Sequence, residues 1–578
     1  MSNTKPGGIF SFLLKDRIVA PKNFNRWRIP PASIAIHLCI GSVYAWSIFN
    51  PALYKILGVA ASADGDWTRA QVVMTFSIAI VALGLAAAIA GKWLEDVGPR
   101  CVGVTAACLW GGGFLVGSLG IIEHNIWLIY LGYGVFGGAG LGLGYVSPVS
   151  TLIRWFPDRR GMATGMAIMG FGGGAMIGFP LKAYLLKLFS KAPDYLGPEN
   201  AVSLITENGK RFAEVAGQKI EVVVASAKEA GEMAIAGEPG VYAVGTGNTG
   251  AAGAFIALGI IYFTVMIIAA FQYRVPAEDW KPEGYEPPSK ADSAAKMKTL
   301  NNVHINQAIK TPQFYQLWVV LCFNVSAGIG VLGVAKTMMQ DMFGAATSGN
   351  NTALWFTANY VIMISIFNMC GRFIWASLSD IIGRKNTYHC FFIIGTLLYL
   401  SIPFIASAVS VSPSIMFFVM FYVATMIIFT MYGGGFATIP AYLADMFGTL
   451  HVGGIHGRLL TAWSTAGIIG PLAITKLREM SAESGINKLV AVIDPSKFME
   501  KFGAPVESLE ELVKAKTVTI SKLMDIVPEG TVDPTPSLYN TTMYAMAGLL
   551  IIAFFSNLLM KPVNSKHFVE NTHPGTLK

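Results

Sequence analysis

Arg372 is the residue of this 578-residue sequence whose position points most directly to binding chemistry. It lies within an apolar segment, eight residues before Asp380, which marks the polar end of that segment. At a helical rise of about 1.5 Å per residue, the guanidinium lies roughly 12 Å deep in a hydrocarbon layer. No acidic residue lies inside an apolar segment to pair with it. We therefore expect Arg372 to bind a small anion such as a carboxylate. The alternative is a guanidinium that snorkels to the nearer surface or bonds to carbonyl groups.

Aromatic residues in the middle of other apolar segments could form the walls of such a site. A phenol can donate a hydrogen bond to a carboxylate, although single aromatics in membrane helices are more typical of packing or interface anchoring. The candidate substrate-binding residues beside Arg372 are Tyr44, Trp46, Tyr145, Tyr432, Phe436 and Trp463. His37, in the first apolar segment, is either a proton-coupling residue or a packed, hydrogen-bonded histidine.

Motifs for catalysis and for ATP binding are missing from the sequence. The glycine runs Gly134–Gly144 and Gly170–Gly178 lie inside apolar segments at small-xxx-small spacing, which favours close helix contact rather than phosphate binding. The six cysteines show no metal-ligand spacing and no disulfide framework. We predict that the protein is not an enzyme and that it needs neither cofactor nor metal.

The composition predicts an all-α membrane protein. Hydrophobic residues make up 53% of the chain and charged residues 13%, too few charges for a soluble surface of this size. Backbone groups inside a bilayer must pair within each segment, so the apolar segments are helices. The twelve predicted spans are 31–50, 69–91, 101–122, 126–153, 161–186, 252–273, 314–338, 353–377, 387–410, 413–440, 457–475 and 541–560.

The spans divide into two halves that share a local pattern. Residues 1–273 form the first predicted six-helix bundle, 274–313 a polar linker, and 314–578 the second bundle. The same pattern follows the second and the eighth span. It consists of an acid, a glycine three residues later, and a basic residue just after the glycine. A tight turn between helices needs the glycine, and the charges suit a membrane surface. The predicted gating residues are Glu95, Gly98, Arg100, Asp380, Gly383 and Arg384.

Basic residues predict the topology. They cluster in the N-terminus, the loop between spans four and five, the linker and the loop between spans eight and nine, so we expect this face and both termini to be cytoplasmic. This bias also accounts for the net charge of +8 without nucleic acid. Two long segments, 187–251 and 476–540, then lie on the outer face. We expect them to be ordered and to meet as a cap.

These motifs resemble the major facilitator superfamily. Within it, His37–Ser47, Arg154–Gly161 and Lys310–Phe314 resemble the oxalate:formate antiporter family, with more distant kinship to monocarboxylate transporters. The resemblance covers all twelve spans and implies alternating access without ATP. It also implies small carboxylate substrates, moved by exchange or with protons.

The resemblance also bears on the substrate's charge. The oxalate exchanger of that family holds its substrate between an arginine of helix 8 and a lysine of helix 11. Arg372 matches the arginine, whereas alignment by Gly457 and Gly470 places Trp463 at the lysine. One cation neutralises a monocarboxylate but leaves a dianion uncompensated in a low-dielectric site.

We therefore predict a secondary active transporter in the cytoplasmic membrane for short monocarboxylates of the acetate, formate, lactate or pyruvate type. Its partners are the carboxylate, the lipid bilayer, and either a co-transported proton or a counter-transported anion, and we expect a monomer. One alternative is an oxalate:formate antiporter. An alternative of another class is a membrane receptor or sensor for a small anion.

Overall fold

Twelve long helices dominate the structure, a computed structural model. It describes residues 10–569 apart from 208, 209, 216, 226, 232, 278, 279, 287–298, 300, 348, 503, 504, 515–517 and 519. We number the long helices α1 to α12 in chain order. The first half comprises α1 (Arg26–Leu53), α2 (Arg69–Val97), α3 (Pro99–Ile122), α4 (Ile126–Trp155), α5 (Arg160–Phe189) and α6 (Ala251–Gln272).

The second half repeats this set of six after the linker. It comprises α7 (Pro312–Thr347), α8 (Tyr360–Ile382), α9 (Arg384–Val411), α10 (Ile415–Phe447), α11 (Val452–Leu459 and Thr461–Val490) and α12 (Asn540–Leu558). Ten of the helices in the described part of the chain are long and apolar enough to cross a membrane. The other two long helices, α7 and α11, take the seventh and eleventh places, and the predicted twelve-helix layout is confirmed.

Two of the long helices are locally irregular near the centre of the first half. After Gly41, α1 tightens into a 3-10 stretch, Ser42–Phe49, with a kink at Ala45. The first turns of α4 widen into a π stretch, Tyr130–Gly137. Such departures from α geometry are frequent at functional sites because they redirect side chains. In α1 the tightened stretch carries Tyr44.

The glycine runs bring helices into close contact, as their spacing predicts. Gly134, Gly138 and Gly142 of α4 lie against α2, where an added Cβ atom would overlap α2 atoms. Gly170 and Gly174 of α5 lie against the backbone of α1 in the same way. These contacts allow α4 to approach α2 closely and α5 to approach α1 closely.

The two halves pack against each other through two helix pairs, α2 with α11 and α5 with α8. Within the first pair, the Ser464 hydroxyl donates a hydrogen bond of 2.9 Å to the carbonyl oxygen of Ile80. Within the second pair, Gly165 and Gly172 of α5 lie against α8 beside Arg372. Both pairs therefore join the halves around the centre of the molecule.

One face of the bundle carries both ends of the described chain and the basic loops, and we call it the basic face. A backbone bridge joins Val19 to Val275, and another joins Val303 to Phe568, so both terminal segments lie against the linker. The turns at this face depend on Gly98 (φ 90°) and Gly383 (φ 87°), a conformation that side chains with a Cβ atom rarely adopt. The predicted role of both glycines in tight turns is confirmed.

The opposite face carries a small antiparallel sheet that the sequence analysis did not predict. Its strands are β1 (Tyr195–Gly197), β2 (Leu204–Glu207), β3 (Lys210–Val215), β4 (Gln218–Ala225) and β5 (Gly240–Ala243), in the order β1-β5-β4-β3-β2. All five lie in the predicted outer segment 187–251. Val223 and Tyr242 pack on Ala60 and Ala61 of the α1–α2 connection, in a cluster separate from the main core.

The second outer segment, 476–540, is helical where it is described. It begins as the last turns of α11 and continues through Pro495–Phe502, Leu509–Lys514 and Ile520–Met524. Phe498 and Leu523 are buried in the main core. The sheet therefore rests on the α1–α2 connection, whereas the helical segment rests on its own half. That the two segments meet in a cap remains a prediction.

Candidate functional site

Arg372 is fully buried where α8 meets α5 and α10. Its side chain fits there because two neighbouring residues are glycines. A Cβ atom at Gly172 would lie 3.0 Å from the Arg372 Nε atom, and one at Gly433 would lie 3.1 Å from its Cγ atom. The guanidinium therefore does not snorkel to the surface, which excludes that alternative.

The hydrogen bonds of Arg372 go to neutral groups. Its Nε atom donates to Asn368 Oδ1 at 2.9 Å, and Nη1 donates to the carbonyl oxygen of Ile168 at 3.3 Å. Nη2 is buried without a hydrogen-bond partner. Over the part of the chain that the structure describes, no carboxylate forms a salt bridge with Arg372. The second alternative, bonding to carbonyl groups, thus holds for one nitrogen and leaves the positive charge uncompensated.

Two phenylalanines flank the guanidinium. The Arg372 Cζ atom lies 5.2 Å from the ring centre of Phe436 and 5.6 Å from that of Phe171. Both distances fall in the range of cation–π attraction. Phe436 is one of the predicted residues, whereas the sequence analysis missed Phe171. It follows one of the glycines of α5, and only the position of α5 against α8 reveals its role.

Three tyrosines from both halves surround the same guanidinium, whose charge acts electrostatically on all three phenols. The hydroxyl oxygens of Tyr44 and Tyr432 lie 3.5 Å apart across the boundary between the halves. The ring of Tyr145 lies 5.3 Å from that of Trp463. The structure therefore brings together Arg372 and five of the predicted aromatic residues: Tyr44, Tyr145, Tyr432, Phe436 and Trp463.

Several buried donors in this cluster have no hydrogen-bond partner. They are Arg372 Nη2, the Tyr145 hydroxyl and Trp463 Nε1. A buried polar group left unpaired costs about 1–3 kcal/mol, so a cluster of three is expensive unless a ligand uses them. All three are donors, which suits a ligand with several acceptor oxygens.

Trp46 is the predicted binding residue that the structure does not bring to this cluster. Its ring lies 4.4 Å from that of Tyr133 and 6.3 Å from that of Phe255, inside the first half. Trp46 follows Tyr44 by two residues in the 3-10 stretch, so the two side chains leave the helix about 120° apart. Trp46 therefore packs in the core, while Tyr44 faces the site.

His37 lies at the edge of the cluster, together with a histidine that the sequence analysis missed. His37 is buried, with its ring 5.3 Å from that of Tyr145 and its Nδ1 atom 3.2 Å from the carbonyl oxygen of Ser33. His456 of α11 is also buried, with its ring 5.9 Å from that of Tyr145. The Nε2 atoms of both histidines have no partner.

A second buried cation, Lys182 of α5, lies in another part of the first half. Its Nζ atom donates a hydrogen bond of 2.6 Å to the carbonyl oxygen of Ser42 and lies 5.2 Å from the ring centre of Phe49. Phe49 belongs to the aromatic group around Trp46. Arg372 therefore is the permanent charge of the central cluster among the residues that the structure describes.

Glu95 joins the halves at the basic face. One of its oxygens accepts a hydrogen bond of 3.1 Å from the backbone N–H of Gly454, in the first turn of α11. The other lies 2.8 Å from the His451 Nδ1 atom. A carboxylate at a helix N-terminus satisfies unpaired N–H groups and meets the positive end of the helix dipole. Glu95 of the first half thus holds α11 of the second.

Asp380 makes the equivalent contact in the opposite direction. Its carboxylate accepts 2.9 Å hydrogen bonds from the backbone N–H groups of Gly161 and Met162, in the first turn of α5. Arg384 donates to the same carboxylate at 2.6 Å. The two predicted acids therefore occupy equivalent places, each capping a helix of the other half.

The two predicted arginines differ in their partners. Arg384 also bonds to Asp445 of α10, which in turn forms a 3.0 Å ion pair with Arg160 of the first half. Arg100 instead donates to the carbonyl oxygens of Phe271 and Tyr273, within its own half. Of these two arginines, Arg384 is the one whose network crosses between the halves. The sequence analysis missed Asp445 because it lies near the end of a long apolar helix.

Comparison with known proteins agrees with this architecture. The model of the Major Facilitator Superfamily matches residues 34–195 and 234–471. The oxalate:formate antiporter of Oxalobacter formigenes is 24% identical over 451 residues, covering 77% of this chain and 83% of the relative. Apicoplast pyruvate carrier 1 of Toxoplasma gondii is 21% identical over 530 residues, covering 82% and 87%.

A solved structure shows the same fold. The crystal structure of the fucose:proton symporter of Escherichia coli superposes with a TM-score of 0.50 at 12% identity, covering 92% of this chain and 99% of the symporter. The family match spans more than half of the sequence, so it settles the class of protein. The chain belongs to the Major Facilitator Superfamily and is a multi-pass membrane transporter of small substrates, not an enzyme.

Proposed function

We propose that this protein is a secondary active transporter of short monocarboxylates. Arg372 binds the carboxylate, and Tyr44, Tyr145, Tyr432, Phe436 and Trp463 enclose it. The observation that carries the proposal is the buried guanidinium with one nitrogen unpaired and no acidic partner among the described residues. A carboxylate supplies both the missing charge and the missing acceptors.

The surrounding donors support an acid group rather than a neutral solute. Tyr145 and Trp463 each carry a buried donor without a partner, on opposite halves of the molecule. A carboxylate has about four acceptor sites, so it can satisfy Arg372 and these two donors at once. The aromatic rings suit the short apolar part of acetate, lactate or pyruvate.

The charge of the site favours a monoanion. One guanidinium neutralises one carboxylate, whereas a dianion would retain a negative charge in a site of low dielectric constant. Of the two relatives named above, one is by its name an oxalate:formate antiporter, and the other is by its name a pyruvate carrier. Oxalate:formate exchange therefore stays as the second candidate and is an arm of the experiment below.

The proposed transport cycle alternates access to this site from the two faces. Glu95 and Asp380 would stabilise the form in which α11 and α5 are held at the basic face. Release of both contacts would open that face. We further propose that the basic face is cytoplasmic and that the protein resides in the cytoplasmic membrane, because its loops carry the excess of lysine and arginine.

Uptake of a panel of labelled anions into proteoliposomes tests the proposal. Acetate, formate, lactate, pyruvate and oxalate are offered with and without a pH gradient, to liposomes that are empty or loaded with an unlabelled anion. Uptake of a monocarboxylate into empty liposomes supports a monocarboxylate carrier. Oxalate uptake that requires formate inside would favour the exchanger instead. A protein that moves none of the five would contradict both.

A further inference from the structure

We propose that His456 of α11 binds the proton that crosses the membrane together with the carboxylate. This inference rests on the proposed function, since it names the group that couples carboxylate movement to protons. His456 joins the central cluster through Tyr145, and it lies on the same short helical stretch as one of the basic-face contacts. The second feature distinguishes it from His37, which is also buried and also contacts Tyr145.

The imidazole of His456 is placed to accept a proton inside the site. Its side chain is 1% exposed, its Nε2 atom has no hydrogen-bond partner, and its ring lies 5.9 Å from that of Tyr145. Tyr145 in turn lies beside the Arg372 guanidinium. A buried polar nitrogen without a partner is unusual, and here it adjoins the proposed carboxylate site.

His37 is less suited to this role. Its Nδ1 atom lies 3.2 Å from the carbonyl oxygen of Ser33, four residues earlier in its own helix. That contact holds the ring on α1 of the first half and leaves Nε2 as the basic nitrogen, so His37 differs from His456 in its position and not in its ability to accept a proton. His37 also lies within the first half, away from the residues that join the halves at the basic face.

The position of His456 in α11 connects the site to the basic face. The stretch Val452–Leu459 carries Gly454 in its first turn, where the Gly454 N–H donates to Glu95, and reaches His456 two residues later. Leu460 keeps helical dihedral angles (φ −64°, ψ −12°), so this stretch continues into the rest of α11. A change of charge at His456 therefore acts on the piece of helix that Glu95 holds.

Other charged and titratable groups near His456 set the electrostatic conditions. Beside it in sequence these groups are His451 and Arg458. In the first half they are Lys92 and Glu95 of α2, Tyr145 and Arg154 of α4, and His37 of α1. In the second half they are Arg372 of α8 and Asp445 of α10, and the linker contributes His304. Glu95 and Asp445 are already engaged by His451, Arg384 and Arg160. A proton on His456 thus adds a positive charge near that of Arg372.

This arrangement makes the proton and the carboxylate depend on each other. With no anion bound, burial opposes an imidazolium at His456, and the positive charge of Arg372 lies in the same cluster. A carboxylate at Arg372 brings a negative charge into this cluster and thereby favours a proton on His456. The proton would enter from the solution at the same face as the anion, and both would leave at the opposite face.

Proteoliposome uptake of the panel's most rapidly transported monocarboxylate tests the inference. Wild-type uptake should increase about tenfold when the outside is lowered from about pH 7.5 to about pH 5.5 with the inside at about pH 7.5, because the inward proton gradient then drives the proton that accompanies the carboxylate. In His456→Gln this stimulation should disappear, whereas exchange of labelled for unlabelled carboxylate at equal pH should persist. His389→Gln is the matched control, since His389 of α9 packs on Phe554, away from the cluster.

A second variant separates a proton site from simple packing. His456→Arg supplies a positive charge that burial does not remove, so uptake should become independent of pH. A packing role would instead lower exchange and uptake together in both variants. If His456→Gln does not fold, His456→Asn undergoes the same test.

The results that overturn the inference are distinct from those that overturn the proposed function. Wild-type uptake without pH stimulation, or full stimulation retained in His456→Gln, would reject the role of His456 and leave a carboxylate carrier. Loss of stimulation in His37→Gln but not in His456→Gln would assign the proton to His37 instead. Absence of any wild-type carboxylate uptake would reject the proposed function itself.

Discussion

At the scale of residues, the central feature is a guanidinium fixed in place by neutral groups. Asn368 and the carbonyl oxygen of Ile168 orient Arg372 without neutralising it. Phe171 and Phe436 flank it and exclude water from its faces. A cation held in this way keeps its charge available for a ligand, and the ligand meets a site that is already ordered.

Asn368→Ala should weaken carboxylate binding without abolishing it. Removal of the side-chain amide leaves Nε of Arg372 without its partner, and a hydrogen bond to a charged group is worth about 1.5–3 kcal/mol. We expect the carboxylate concentration for half-maximal uptake to rise about tenfold or more, with a smaller change in the maximal rate. An unchanged concentration dependence would show that Asn368 does not position the guanidinium.

Tyr145→Phe should lower affinity while leaving stability unchanged or improved. The hydroxyl of Tyr145 is buried without a partner in the protein, so its loss costs the free protein little, whereas a bound carboxylate loses a donor worth about 1 kcal/mol. Tyr133→Phe is the matched control, because its hydroxyl is also buried and unpartnered but lies among Trp46, Trp110 and Phe114. Equal effects of both changes on uptake would contradict the assignment of Tyr145.

At the scale of elements, two carboxylates hold helix ends across the boundary between the halves. Asp380 caps α5 and Glu95 caps α11, so each half contributes one acid and one helix N-terminus. Such contacts are stronger than ordinary surface ion pairs because the carboxylates bond directly to unpaired backbone N–H groups. They are also reversible, since solvent can replace them when the face opens.

Asp380→Asn should favour opening of the basic face. The substitution removes the negative charge that faces the α5 N-terminus and Arg384, which weakens the closed form by about 1–2 kcal/mol. A cysteine introduced as Ser150→Cys, beside Gly453 in the closed interface, should then react roughly tenfold faster with a thiol reagent applied from that face.

Asp158→Asn provides the control for this experiment. Asp158 lies near the same face and forms a 2.7 Å ion pair with Arg26, within the first half. Its loss should leave the reactivity at position 150 unchanged, and the protein without the introduced cysteine gives the background of the native thiols. If the introduced cysteine reacts equally fast in Asp380→Asn and in the parent protein, the contact at Asp380 does not keep the basic face closed.

The sequence predicts most elements and part of the site, for physical reasons that differ between residues. Hydropathy locates the helices, and the distance from Asp380 gives the depth of Arg372. Asn368, four residues before Arg372, could have been found from helical spacing. His456 could not have been found in this way, because the predicted span begins at residue 457, whereas α11 begins at Val452. The outer sheet was also missed, since strands in a mixed polar segment give no strong periodic pattern.

At the scale of the whole molecule, the structure separates a membrane bundle from an outer sheet. The backbones of Lys191 and Asn248 bond to each other at 3.0 and 2.9 Å, so the two ends of the sheet segment meet where it leaves the bundle. Within the described chain, the apolar residues of the sheet form two clusters apart from the main core, and one of these clusters includes Ala60 and Ala61 of the α1–α2 connection. We therefore expect the bundle to fold without the sheet.

Replacement of residues 192–247 by a short glycine–serine linker should therefore leave the bundle intact. Because the ends of the segment already lie side by side, closing them costs little loop entropy. We expect a monodisperse protein on size-exclusion chromatography, with carboxylate uptake within a fewfold of the wild type. Loss of uptake by a folded variant would show instead that the sheet takes part in transport.

Carboxylate binding to purified wild-type protein and to Arg372→Ala is the measurement that tests the central claim most directly. Ligand that binds only the folded protein raises its midpoint of thermal unfolding, with a stabilisation of about 2.7 kcal/mol at a concentration one hundredfold above the dissociation constant. The monocarboxylate should raise the midpoint of the wild type and leave that of folded Arg372→Ala unchanged. An equal rise in both proteins would contradict the assignment of Arg372 as the carboxylate-binding residue.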